Sequence, residues 1–161
     1  MIRRLFFSKS AANDILQSAL HTETTFYGSF QRDLRHAKRE VIIESPFIAC
    51  KRTESLLPAF RRLARRGVNI RINTRNPRHH ERELQIQAWQ SIKQLRGVGV
   101  KVKFYDDMRH RKLAVIDRTV LWEGSLNILS QSYSKEIMRR TKSEVLANQM
   151  VRFTGMSRWG W

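Results

Sequence analysis

Three times in succession along this chain, an apolar pattern of helical period gives way within a few residues to a short branched run. Tyr27, Phe30, Leu34 and Ala37 recur at helical spacing and lead into Val41-Ile42-Ile43. Leu56, Leu57, Phe60, Leu63 and Ala64 line one face of a second helix, with Arg61, Arg62, Arg65 and Arg66 elsewhere on it and Gly67 placed to end it. Val68, Ile70 and Ile72 then alternate with polar residues as a strand does. Leu84, Ala88, Trp89, Ile92 and Leu95 form the third helical face, and Val100, Val102 and Phe104 alternate beyond the turn at Gly97-Val98-Gly99. Helices alternating with strands bury their faces by stacking on both sides of a sheet. The pattern therefore predicts a layered α/β/α sandwich around a mixed, mostly parallel sheet.

Two further apolar runs, Leu113 to Ile116 and Val120 to Trp122, lie close together with Asp117-Arg118-Thr119 between them and read as a hairpin, which adds an antiparallel pair. The tail predicts a strand around Ile137-Met138 and a helix from Ser143, with Ser143 as its cap and Val145, Leu146 and Met150 packing inward. At 161 residues, and with no repeat or linker, the chain suits one domain over 1–161, with residues 1–25 as an N-terminal extension.

Charge narrows the partner. Thirty-one Lys and Arg against 14 Asp and Glu leave a formal charge of +17, which in so small a domain calls for an anionic partner. Nucleic acid is the first candidate and an anionic membrane surface the second. The single Cys50 excludes an intramolecular disulfide and a thiolate zinc cluster, which suits the cytoplasm. The opening Met1-Ile2-Arg3-Arg4-Leu5-Phe6-Phe7-Ser8 has too short an apolar run for a signal peptide, and no stretch approaches the roughly 20 residues that span a bilayer, so stable membrane insertion is not expected.

The chemistry concentrates between residues 110 and 127. Alternate side chains of a strand face the same way, so His110 and Lys112 project together, and an imidazole beside an ammonium makes a phosphate site. The returning strand brings Gly124, Ser125 and Asn127 to the same end, where a glycine permits close backbone approach and Ser and Asn donate hydrogen bonds. His36-Ala37-Lys38 repeats the first three positions but lacks everything downstream, which shows that the short pattern alone is weak.

The full pattern, His-x-Lys, four residues, Asp, six residues, Gly-Ser-x-Asn, resembles the signature of the phospholipase D superfamily at every defined position. The chain resembles the rest of that domain from about residue 26 onward, and Ser134-Lys135-Glu136-Ile137-Met138 is similar to the Glu-bearing strand after the motif in single-motif bacterial nucleases and helicase-associated domains. By this resemblance His110 is the nucleophile that forms a phosphohistidine, and Lys112 and Asn127 hold the nonbridging oxygens in place of a metal. Ser125 and Glu136 orient the imidazole. Asp117, at the far end of its strand, takes a supporting structural role beside a basic neighbour. The resemblance implies no metal and no cofactor. Because the chemistry needs a second histidine to protonate the leaving oxygen and the chain has one motif, it also implies a homodimer with a shared site.

Within such a family the motif sets the reaction more firmly than the substrate. The charge, with Arg61, Arg62, Arg65, Arg66, Arg109 and Arg111 as candidate phosphate contacts, favours nucleic acid, DNA ahead of RNA. The alternatives are a lipid hydrolase, for which Trp122 and the terminal Trp159-Gly160-Trp161 offer aromatic surface, and a noncatalytic nucleic-acid-binding module of the same fold. His79-His80 beside Glu81 points to a solvated loop rather than a metal site, since adjacent side chains diverge and no third ligand is spaced nearby.

Overall fold

Each of the three helix–strand units forms. The computed structural model describes residues 17–156, so Met1–Ser8 and Trp159-Gly160-Trp161 lie outside the described residues. In chain order the elements are β1 (Ser18–Thr22), α1 (Phe26–His36), β2 (Glu40–Glu44), α2 (Cys50–Arg65), β3 (Asn69–Arg75), α3 (Arg82–Gly97), β4 (Lys101–Tyr105), β5 (Leu113–Ile116), β6 (Val120–Gly124), β7 (Ile137–Lys142) and α4 (Glu144–Phe153). A short 3-10 turn, Pro77–His79, follows β3.

The seven strands form one mixed sheet in the order β1-β7-β6-β5-β2-β3-β4. It is not mostly parallel. Only β2–β3 and β3–β4 are parallel, while β2–β5, β5–β6, β6–β7 and β1–β7 are antiparallel. Helical crossovers return the chain in the same direction only through α2 and α3, and every later connection reverses it. Strand β1 was not expected. Ser18–Thr22 carries no clean alternation, and pairing with β7 at the sheet edge is what makes it a strand.

Two cores flank the sheet. On one face, Phe26, Phe30 and Leu34 of α1, Leu56, Phe60 and Leu63 of α2, and Ala88, Ile92 and Leu95 of α3 pack on Val41, Ile43, Ile70, Ile72 and Trp122. On the other, Ala147 and Val151 of α4 cover Ile42, Leu113, Val115 and Leu121. The alternation along Val41-Ile42-Ile43 thus feeds both cores, which is why the middle of this central strand is apolar on both faces. Burying each of these three side chains stabilises the fold by roughly 1.5–3 kcal/mol.

Some expected contacts are replaced. Leu84 and Trp89 stay 38% exposed on α3, and Val145 and Leu146 face outward on α4, where Ala147, Val151 and part of Met150 pack instead. The Ser143 cap forms as expected, its hydroxyl accepting from the Leu146 N–H at 3.2 Å. Gly67, at φ +77°, closes α2 in the left-handed conformation.

This topology brings the C-terminal ends of β2, β3, β4 and β6 to the same end of the sheet as the starts of β5 and β7. The rim beyond the carboxyl ends of parallel strands is where such sheets bind ligands.

Candidate active site

The hairpin β5–β6 turns through Asp117 and Arg118, at φ 52° and 57°, with the Thr119 N–H donating to the Ile116 carbonyl at 3.0 Å. Two consecutive left-handed residues make the turn whose twist matches a hairpin, so the register is set locally although neither residue is glycine. The ladder continues past β5, since the Gly124 N–H donates to the Lys112 carbonyl at 3.2 Å. His110 and Lys112 therefore stand in extended chain just before the strand, at the sheet's functional rim. Gly124 is required by packing: a Cβ there would lie 2.1 Å from the Ile137 carbonyl oxygen. Only glycine lets β6 approach β7 this closely.

Lys112 Nζ lies 2.6 Å from His110 Nδ1 and donates to the His110 carbonyl at 2.7 Å. Burial, then the charge of Lys112, then that of Arg75, lower the His110 pKa from its ordinary value. Burial likewise lowers that of Lys112, opposed by the negative charge of Glu136. Asn127 follows β6 in a turn where its carbonyl accepts from the Ser130 and Gln131 N–H groups, and its side-chain oxygen is buried without a partner. The turn is braced from three sides, by the Ala49 N–H on the Leu129 carbonyl, Tyr27 Oη on that of Ile128, and Arg52 on that of Gln131.

Ser125 and Glu136 reach the same rim but do not hydrogen-bond the imidazole as expected. Ser125 Oγ accepts from the Ile137 N–H at 3.1 Å, and Glu136 accepts from Ser134 Oγ at 2.8 Å. The first amide of β7 would otherwise be unpaired, which explains the use of Ser125, and Lys112 already occupies His110 Nδ1. Glu23, which precedes α1, joins them, pairing with Lys135 at 3.0 Å and accepting the Glu136 N–H.

Asp117 is at the opposite end of the hairpin. Its carboxylate accepts the backbone N–H groups of Lys38, Arg39 and Glu40 at 2.8, 2.8 and 3.0 Å, so it anchors the start of β2 through amides, while the basic neighbour, Arg39, donates to the Asp117 main-chain carbonyl at 3.0 Å and not to the carboxylate. The α2 row is equally remote. Arg61, Arg62, Arg65 and Arg66 are exposed at the C-terminal end of a helix that starts at the rim and runs away from it. Arg66 also donates to the Arg35 and Ala37 carbonyls.

Arg109 and Arg111 are near the rim but turn inward, to within 3.6 and 2.7 Å of the fully buried Glu44, and Arg109 also pairs with Asp107 at 2.7 Å. An unpaired carboxylate in that position would be strongly destabilising, so both arginines have a structural task that their sequence position does not announce. Trp122 is fully buried, its Nε1 donating to Asp33 at 2.8 Å, and offers no surface to a lipid.

The residues that sequence reading missed are Phe47, Arg75 and His80. Phe47 lies 5.9 Å from the His110 ring and 5.0 Å from that of His80, with the Arg75 guanidinium 5.7 Å from its centroid. The adjacent histidines do diverge, but only His79 is solvated, 3.5 Å from Asp106, while His80 Nε2 is buried without a partner. The one signal available was an apolar Phe47 in the loop just past a strand that ends at the rim. Among the described residues no helix is long and apolar enough to cross a membrane.

Comparison with known proteins agrees with this fold. The solved structure of Nuc from Salmonella typhimurium, a phospholipase D family member, superposes with a TM-score of 0.69 at 16% identity, covering 88% of this chain and 94% of that one. NucT from Helicobacter pylori gives 0.67 at 17% identity, covering 84% and 91%. Polyphosphate kinase from Porphyromonas gingivalis gives 0.69 at 13%, covering 89% of this chain but 26% of that much longer one. No curated protein sequence matches. The family model described as cardiolipin synthase, PLD-like domain, matches residues 30–156, which include all of the motif, and by that match the chain belongs to the phospholipase D-like family.

Proposed function

We propose that this protein is a metal-independent phosphodiesterase that cleaves nucleic acid, DNA in preference to RNA, through a phosphohistidine at a site shared by two copies of the chain. The observation that carries the reading is the contact between Lys112 and a His110 whose pKa is lowered, a cation and a neutral nucleophile held side by side at the rim. A phosphate arriving there offers Lys112 anionic oxygens, and a charge-assisted bond is roughly twice as strong as a neutral one. Substrate binding thus frees the imidazole. The ring nitrogen bonds to phosphorus as the P–O bond to the leaving group breaks, and the partner copy's His110, which enters the step protonated while the nucleophile is neutral, gives that oxygen its proton. Water then attacks the phosphohistidine, passing a proton to the same partner imidazole as the N–P bond breaks.

Lys112, through its ammonium, and Asn127, through its side-chain N–H group, stabilise the charge that builds on the pentacoordinate phosphorus. Ser125 and Glu136 are positioning residues, the first through β7 and the second through its charge on Lys112. The +17 charge supports a polyanionic substrate. A lipid substrate is favoured by one observation, the cardiolipin synthase description of the matching family, and is opposed by the burial of Trp122.

The test is a cleavage panel in excess EDTA over single- and double-stranded DNA and RNA, anionic liposomes and bis-p-nitrophenyl phosphate, with His110→Ala as the control. Hydrolysis of the diester and of DNA by the wild type alone is the expected result. Loss of activity on chelation, restored by magnesium, would remove the metal-independent mechanism. Binding to DNA without cleavage would leave a binding module, and turnover of lipid alone would establish the other substrate.

A further inference from the structure

Phe47, Arg75 and His80 lie outside the motif, and the chemistry proposed above draws on them only through the effect of the Arg75 charge on the His110 ring. Each comes from a segment that ends at the rim: Phe47 from the loop after β2, Arg75 from the last position of β3, and His80 from just beyond the 3-10 turn. Phe47 is their common contact with His110.

Arg75 differs from its neighbours in charge pairing. Arg71 is paired with Glu40, and Arg109 and Arg111 with Glu44, whereas Arg75 has no carboxylate partner among the described residues. Its guanidinium donates to Met108 Sδ at 3.6 Å, a weak acceptor, and its Nε is buried and unpartnered. His80 Nε2 is in the same condition. A buried donor left unpaired is destabilising, and the Arg75 Nε–H, with an unpartnered His80 ring nitrogen on the other side of Phe47, marks a place near His110 suited to an anion. A guanidinium fork matches two phosphate oxygens at once, and the imidazole supplies one more donor.

We propose that Arg75 and His80 form a second phosphate subsite, set one phenyl ring's width from His110 by Phe47, which holds the phosphate next to the scissile one along a strand. It rests on the nuclease reading and deepens it, because the protein then recognises a run of consecutive phosphodiesters in preference to an isolated one. Phe47 keeps the two phosphates apart, and His110 engages only the one that reacts.

The experiment compares a dithymidine with one phosphodiester and a trithymidine with two, measuring kcat and KM separately. The wild type should show the lower KM on the trimer. Arg75→Gln should raise the trimer's KM about tenfold or more and the dimer's by no more than about threefold, as expected for losing one charge-assisted contact. His80→Asn should act in the same direction with a smaller effect. Circular dichroism checks folding, and if Arg75→Gln is not folded, Arg75→Lys takes its place, keeping the charge while losing the fork and giving an intermediate KM on the trimer.

Equal losses on both substrates, or none on either, would overturn the subsite alone, as would a wild type with the same KM for dimer and trimer. A wild type that hydrolyses bis-p-nitrophenyl phosphate but neither nucleotide would instead overturn the nuclease reading and the subsite with it.

Discussion

Lys112 donates both to His110 Nδ1 and to the His110 carbonyl, so the ammonium and the imidazole form a closed pair two residues apart. Such a pair requires the ring to accept, hence to be neutral. Burial, Lys112 and Arg75 all disfavour the protonated ring, in that order. NMR titration of His110 should therefore give a midpoint below 6.5, and the acid limb of kcat/KM should follow it, activity rising as the ring loses its proton. In Lys112→Met a repelling charge is gone, so the midpoint should move up toward the ordinary value. A wild-type midpoint above 6.5, or a downward move in the variant, would contradict this account.

A site shared between two copies, as proposed, makes a quantitative prediction for mixed subunits. If each site uses His110 from both copies, a His110→Ala chain inactivates every dimer it enters, and activity falls with the square of the wild-type fraction. At equal mixing about a quarter of full activity should survive, against about half for a chain that works alone. A linear dependence, with subunit exchange verified by mass, would end the composite site and direct attention to His80 as a proton donor in the same chain.

Arg61, Arg62 and Arg65 are exposed at the end of α2 away from the rim, and a 16-residue helix is about 24 Å long. Their effect should depend on substrate length. Replacing all three with Gln should weaken binding of a duplex of about 20 base pairs and reduce its salt slope by about 2 to 3, yet leave unchanged a duplex shorter than about seven base pairs. Equal weakening of long and short duplexes would mean that the row acts through general attraction and touches no phosphate. Arg66 is left intact because it holds the C-terminal carbonyls of α1.

Asp117→Ala removes one acceptor from three backbone N–H groups and puts alanine at a left-handed φ of 52°. The two effects together should destabilise the fold by about 2–4 kcal/mol in urea unfolding. The turn is at the opposite end of the hairpin from His110, so kcat of the folded fraction should hold. A change under about 0.5 kcal/mol, or a fall in kcat with stability intact, would give Asp117 a different role.

What the sequence by itself determined is the local part of this protein. The helix–strand units follow from periodicity, because a buried face needs apolar residues at the spacing of its own element. The convergence of His110 and Lys112 with Ser125 and Asn127 follows from a hairpin, whose register is set by the few residues of its turn. Only the tertiary structure decided the rest. The direction of the β1–β7, β2–β5 and β6–β7 pairings and the recruitment of Ser18–Thr22 into the sheet depend on which edge each segment meets. Arg109 and Arg111 read as free cations until the buried Glu44 is brought beside them. His80 reads as solvated until Phe47, distant in sequence, is packed against it. Burial and charge pairing are properties of neighbours in space, and a basic residue shows in the sequence its charge but not the carboxylate, ring or phosphate that the fold sets opposite it.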